Sequence, residues 1–192
     1  MADHDFGAIE ARWRERWERE GLYRTDLSRA DRKCYCLVMF LYPSGDKLHL
    51  GHWFNFVPTD TWARFRRMNG DNVFEPIGYD SFGLPAENNA IKTGVHPRRH
   101  TEDNIAFIRE QLRAMGAMYD FAHEVATHRP EYYRWNQWLF LQLVDAGLAY
   151  RAEMPVNWCD SCQTVLANEQ VEEGVCWRCG QPVLRRSLTQ WC

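Results

Sequence analysis

Three groups of residues have the types and spacing that chemistry requires. His49 and His52 stand three apart around Gly51, just after Tyr42-Pro43-Ser44-Gly45 and at the head of a segment whose amphipathic pattern begins at Leu50. A loop that opens a helix presents unpaired backbone N–H groups and the positive end of the helix dipole. A nucleotide phosphate fits there, with two imidazoles as further donors; the same four residues also make an ordinary turn and cap. Asp80 follows a second apolar segment. At the carboxyl end of a strand, a carboxylate either caps a turn or holds an ammonium group by a charge-assisted hydrogen bond. Cys159-x2-Cys162 and Cys176-x2-Cys179 are separated by 13 residues. Two such knuckles suit tetrahedral Zn²⁺ with four thiolates, a closed shell that leaves no position open for catalysis.

Alternating elements must position these groups, and the pattern reads as α/β. The apolar run Cys36–Leu41 predicts a buried strand of the parallel type, ended by Pro43-Ser44-Gly45. A helix follows from Leu50 to about Met68, with Phe56, Thr59, Ala63 and Arg67 on one side and Gly70-Asp71 as its stop. A second strand is expected over Asn72–Gly78. Strand, helix and strand with short links make a βαβ unit, and such sheets bind ligands beyond the carboxyl ends of their strands, where His49 and Asp80 both fall. Before this unit, Phe6, Ile9, Trp13 and Trp17 predict a helix with a core-facing stripe; after it, Thr101 reads as the N-cap of a helix closed by Gly116. Phe121–Thr127 is expected as a third parallel strand and Pro130–Gly147 as a long helix. The pattern changes near Tyr150, which divides a domain of residues 1–150 from a cysteine-bearing segment, 151–192.

The composition is globular, with 45% hydrophobic residues and a formal charge of −3, so no overall basic footprint marks a nucleic-acid binder. Lys33, Lys47 and Lys92 are the only lysines. No apolar run approaches the roughly 18–20 residues of a membrane helix, and the charged N-terminus is unlike a signal peptide, so a cytoplasmic protein is expected. In a reducing compartment the paired cysteines favour a metal over disulfides, while Cys34, Cys36 and Cys192 stand alone. The remaining histidines, His4, His96, His100, His123 and His128, have no ligand or base–nucleophile spacing and read as surface or packing residues.

The run Tyr42-Pro43-Ser44-Gly45-Asp46-Lys47-Leu48-His49-Leu50-Gly51-His52 resembles the signature that opens the first helix of class I aminoacyl-tRNA synthetases, and its YPSG is similar to that of the leucyl enzymes. Gly78-Tyr79-Asp80-Ser81-Phe82-Gly83-Leu84-Pro85-Ala86-Glu87 resembles the GWDAFGLPAE block of the same enzymes, with Tyr79 for tryptophan and Ser81 for alanine. Leu41 stands where the family commonly has proline. The resemblance implies the first half of a Rossmann-like nucleotide-binding domain carrying a zinc ribbon. It implies that His49, Gly51 and His52 bind ATP, which arrives with Mg²⁺, and that Phe40, Tyr42 and Asp80 bind leucine. The implied reaction joins leucine to the α-phosphate of ATP and passes the leucyl group to tRNA(Leu). In-line displacement at phosphorus gains mainly from positioning and from donors aimed at developing charge, so His49 and His52 are expected as donors rather than general bases. The ribbon is expected to hold structural Zn²⁺.

The resemblance extends from the first helix to Gln190-Trp191 but covers only the front of the family enzyme. No KMSKS-type loop, editing domain or anticodon-binding domain is present in the sequence. The chain therefore reads as a fragment whose activity depends on a separate C-terminal half. The alternative is a non-catalytic zinc-ribbon fragment that binds tRNA or protein.

Overall fold

The computed structural model describes residues 4–43 and 47–192, so Ser44, Gly45 and Asp46 of the loop motif lie outside the described residues. The chain forms two compact units, Met1–Tyr133 and Arg134–Cys192.

In the first unit, α1 (Phe6–Glu20) precedes β1 (Lys33–Tyr35), α2 (Leu50–Met68), β2 (Asn72–Phe74), β3 (Gly78–Tyr79), α3 (Leu84–Thr93), α4 (Pro97–Met115) and β4 (Val125–Ala126). β1 pairs in parallel with β2, Cys34 opposite Val73, and β3 pairs in parallel with β4, Gly78 opposite Val125. The expected βαβ unit is present with shorter strands. Leu41 joins β3 through a parallel bridge to Tyr79, donating its N–H to Gly78 O at 3.0 Å and accepting from Asp80 N–H at 2.7 Å. Between Cys36 and Leu41 the chain leaves β1 and reaches the edge of β3, so the apolar run 36–41 is not one strand. The expected strand 72–78 is likewise two, β2 and β3.

The core explains the apolar pattern. Phe56 of α2, Ile77, Tyr79, and Ile105, Ile108 and Leu112 of α4 form one buried cluster with Leu41. Each large aliphatic or aromatic side chain withdrawn from water contributes about 1.5–3 kcal/mol. A second cluster joins Cys36, Ala63, Val73 and Met118. α4 starts at Pro97 with His96 as N-cap, and not at Thr101, which is buried inside the helix. Proline at the first helical position is compatible with the missing N–H, and that start signal outranks a threonine four residues on. α3 was not expected from the sequence, and Phe121–Thr127 contains a 3-10 turn (Phe121–His123) before the two residues of β4. The stripe of α1 is not a core face: Phe6 and Trp13 are exposed, and Trp17 packs at 5.8 Å from the Tyr23 ring.

The second unit contains most of α5 (Pro130–Asp145), then β5 (Arg151–Cys159), β6 (Thr164–Leu166), β7 (Val171–Glu172), β8 (Val175–Cys176) and β9 (Leu184–Trp191). β5 lies between β6 and β9, antiparallel to both, and β7 and β8 form a hairpin. No described helix is long and apolar enough to cross a membrane.

Candidate functional site

α2 begins with a reciprocal cap built from the two candidate histidines. His49 is the N-cap, in extended backbone geometry; its Nδ1 accepts the Gly51 N–H at 3.1 Å, and its own N–H donates to His52 Nδ1 at 3.1 Å. The rings stack with centroids 3.9 Å apart, and His52 stacks in turn on buried Phe56. Both Nδ1 atoms are acceptors, so in the neutral imidazoles both protons sit on Nε2. His52 is held in that neutral form: burial lowers its pKa, and the neighbouring His49 adds to the effect. The helix start thus offers two Nε2–H donors at the positive end of the helix dipole, while the N–H groups of His49, Gly51 and His52 are already held within the cap. Gly51 is required by contact. A Cβ there would stand 2.9 Å from His49 Cε1 and 3.0 Å from Nδ1, inside the space the cap occupies.

The second group gathers where Leu41 meets β3. Tyr42, Pro43, Asp80, Ser81, Phe82 and Thr101 line a cavity of about 90 Å³. Asp80 is half-buried, and Thr127 Oγ1 lies 3.4 Å from its Oδ1. The Phe40 ring lies over Gly78, where a Cβ would fall 2.7 Å from Phe40 Cδ1. The structure therefore brings Phe40, Tyr42 and Asp80 to one junction. Two larger hollows, about 340 and 750 Å³, lie beneath α1 against Arg14, Trp17 and Gly116, and none of the candidate residues lines them.

Two further residues, which sequence reasoning did not select, hold Pro43 and Leu48. Asn104 Nδ2 donates to Pro43 O at 2.7 Å, and Gln111 Oε1 accepts from Leu48 N–H at 2.9 Å. They stand seven apart on the face of α4 that carries Ile105, Ile108 and Leu112. A polar residue on an apolar helix face is the available signal, because burial there requires a partner.

His128 is also more than a packing residue. Its Nδ1 lies 2.7 Å from Ser81 Oγ and its Nε2 3.0 Å from Glu102 Oε1, while Arg129 grips the same carboxylate at 3.1 and 2.7 Å. The Arg129 hydrogen bond is the main cause holding Glu102 below its usual range. Ser81 N–H donates to Thr127 Oγ1 at 2.9 Å. This network ties the end of β3 to the end of β4 directly behind Asp80.

Glu75 lies deeper in the unit. It is 1% exposed, and neither carboxylate oxygen has a hydrogen-bond partner among the described residues. Burial pushes it up to about 8; Asp60 adds to the rise, and Arg64 and Arg67 oppose it.

In the second unit the Sγ atoms of Cys159, Cys162, Cys176 and Cys179 all lie within 4.8 Å of one another, with Cys159 and Cys179 at 3.5 Å. Tetrahedral Zn–S bonds of about 2.3 Å give S···S edges of about 3.8 Å, so the four sulfurs fit a Zn²⁺ ion. Cys162 N–H points at Cys159 Sγ at 3.4 Å, the N–H···S contact of a knuckle. Cys179 is lowered to about 6, first by the Gln181 backbone N–H, and Cys162 is raised to about 12, first by its contact with Cys179.

Comparison with known proteins follows the same lines. The family model for tRNA synthetases class I (M) matches residues 36–188. The leucine--tRNA ligase of Clostridium perfringens is 60% identical over 184 residues, covering 96% of this chain and 22% of that protein. The leucine--tRNA ligase of Caldanaerobacter subterraneus is 57% identical over 183 residues, again 22% of its length. The chain thus spans about a fifth of the length of the curated relatives it matches. Among solved structures, a ternary complex of Agrobacterium radiobacter K84 agnB2 LeuRS with tRNA and LeuAMS superposes with a TM-score of 0.90 and 42% identity, covering 98% of this chain and 24% of that one. Mycobacterium tuberculosis methionyl-tRNA synthetase, at 20% identity, a TM-score of 0.65 and coverage of 83% of this chain and 32% of that one, shares the fold.

Proposed function

The chain belongs to the class I tRNA synthetases, and from that membership we propose that it forms the part of a leucine--tRNA ligase that binds leucine and ATP. In this reading residues 1–150 are the catalytic half-domain and 151–192 the zinc ribbon. The leucine carboxylate attacks the α-phosphate of ATP, pyrophosphate leaves, and the leucyl group then moves to tRNA(Leu). The observation that carries the reading is the reciprocal cap of α2, which leaves both Nε2–H groups of His49 and His52 as donors to the nucleotide phosphates. Their part is to stabilise charge as it develops on the phosphate oxygens; neither needs to move a proton. Gly51 keeps the approach to the backbone open, and Mg²⁺ enters with ATP. Asp80 holds the leucine ammonium, with Phe40 and Tyr42 beside it. Cys159, Cys162, Cys176 and Cys179 hold Zn²⁺, which when bound supplies the cross-link that a ribbon with so small a core requires.

The test is leucine-dependent ATP–pyrophosphate exchange by the zinc-loaded chain, alone and with the remaining portion of a relative such as the Clostridium perfringens enzyme, with isoleucine, valine and methionine as competitors. Exchange that requires leucine and is lost in Asp80→Ala supports the proposal. Exchange that is equal with the competitors, or indifferent to Asp80, counts against it.

A further inference from the structure

We infer that Cys34 and Cys36 form a dithiol that a hydroperoxide converts to a disulfide, a modification site on the segment leading from β1 to the candidate site. The sequence sets the two cysteines apart as isolated, yet alternate residues of a strand share a face, and here their Sγ atoms lie 3.7 Å apart. Two strand rises separate their Cα atoms by about 6.6 Å. That lies at the long end of the roughly 4.4–6.8 Å over which a disulfide closes. Ring closure therefore needs the side chains to turn toward each other and the strand to pucker, and no second segment has to move. Neither cysteine belongs to a group of three or more metal-binding side chains among the described residues, in contrast to the four of the ribbon.

The environments of the two thiols set the order of events. Cys34 is half-buried and open to a small oxidant, whereas Cys36 is 5% exposed and packed among Ala63, Val73 and Met118. Burial, with Cys34 beside it, pushes the Cys36 thiol up to about 12, so it keeps its proton and waits as the second partner. The Cys34 thiolate attacks one peroxide oxygen; the O–O bond breaks, Cys34 becomes a sulfenic acid, and hydroxide or alkoxide leaves. The Cys36 sulfur then attacks the Cys34 sulfur. An S–S bond forms, the S–O bond breaks, and the departing hydroxide takes the Cys36 proton and leaves as water. Two electrons pass from the sulfur pair to the peroxide. The Cys36 N–H donates to Phe74 O at 2.9 Å, and five residues later Leu41 carries the junction with Gly78 and Asp80. A pucker at Cys36 therefore acts on the segment that presents Phe40 and Tyr42. The inference does not depend on the proposed function.

The test uses the zinc-loaded full chain in a Cys192→Ser background, which removes the exposed third thiol. The protein is treated with graded hydrogen peroxide, alkylated and digested with trypsin. The peptide Cys34–Lys47 holds these two cysteines and no other. It is expected to become two hydrogens lighter, to lose alkylation at both positions, and to recover both after dithiothreitol, with a yield independent of protein dilution. Tandem spectra separate this from oxygen gained by Met39 in the same peptide. In Cys36→Ser the sulfenic acid on Cys34 has no partner and is expected to be trapped by dimedone. A peptide that remains doubly alkylated while peroxide strips the ribbon cysteines would overturn the inference. So would Cys34 passing to sulfinic acid with Cys36 still free, or a Cys36→Ser protein that yields no dimedone adduct.

Discussion

Replacing Glu75 by glutamine should stabilise the protein, and more so as the pH rises. The carboxyl is buried without a hydrogen-bond partner, and its folded value of about 8 stands against an ordinary 4.5. A raised carboxyl pKa means that the folded state binds a proton the unfolded state has released. Stability is therefore fully retained below about 4.5 and falls as the pH climbs toward 8, levelling off above it. At 1.36 kcal/mol per pH unit, the penalty relative to a neutral group is about 1 kcal/mol near pH 5 and about 3 kcal/mol near pH 7. Glutamine keeps the shape of the protonated acid and does not titrate. The difference between Glu75→Gln and the parent should therefore grow by about 2 kcal/mol between those pH values. Urea unfolding of both proteins, at equal zinc saturation, measures it, and titrating groups that do not face Glu75 cancel in the difference; Asp60, its coupled neighbour, does not. A stability difference that is the same at both pH values, or that shifts in favour of the parent near pH 7, would refute the reasoning.

Three other perturbations follow from contacts already described. Gly51→Ala places a methyl group 2.9 Å from the His49 ring, so it should break the cap of α2 and lower stability by about 1 kcal/mol. His49 and His52 ring resonances would report the lost stacking. His128→Ala removes one partner each of Ser81 and Glu102, which keep Tyr79 O and Arg129, and should cost about 1 kcal/mol. The loss should appear as faster amide exchange at Ser81 and Thr127, and unchanged exchange there would contradict the network's role. Chelation should remove one Zn²⁺ per chain and open residues 159–180 to protease, while the zinc-loaded chain resists cleavage there.

The legible parts of the sequence were those where a local rule and the tertiary environment agree. α2 was readable to within a residue because its apolar spacing, its Gly/Pro entry and its glycine stop all point one way. The two cysteine knuckles were readable because a fourfold ligand set needs that spacing. The run Cys36–Leu41 misled because it is apolar without being a buried strand: Cys36 and Leu41 are buried at its two ends, while Leu37, Met39 and Phe40 between them are exposed on the crossing from β1 to β3. The partners of Asn104, Gln111 and His128 were invisible for the opposite reason, although Asn104 and Gln111 stand out as polar residues on an apolar helix face. Each is partnered with a residue at least 26 positions away in sequence, as the Glu102–His128 pair is, and periodicity carries no information about such distances. The pairing of Cys34 with Cys36 was legible in principle, since their spacing of two is the period of a strand.

The most direct test of the central claim is calorimetric titration of the zinc-loaded chain with a non-hydrolysable leucyl-adenylate analogue, beside Asp80→Asn and His52→Ala. Hydrogen bonds to charged groups contribute about 1.5–3 kcal/mol, so each substitution should weaken binding by about ten- to a hundredfold. An isoleucyl analogue should bind more weakly than the leucyl one. Binding that both variants leave unchanged, or no binding to the parent chain, would contradict the assignment of the α2 cap and Asp80 to the adenylate.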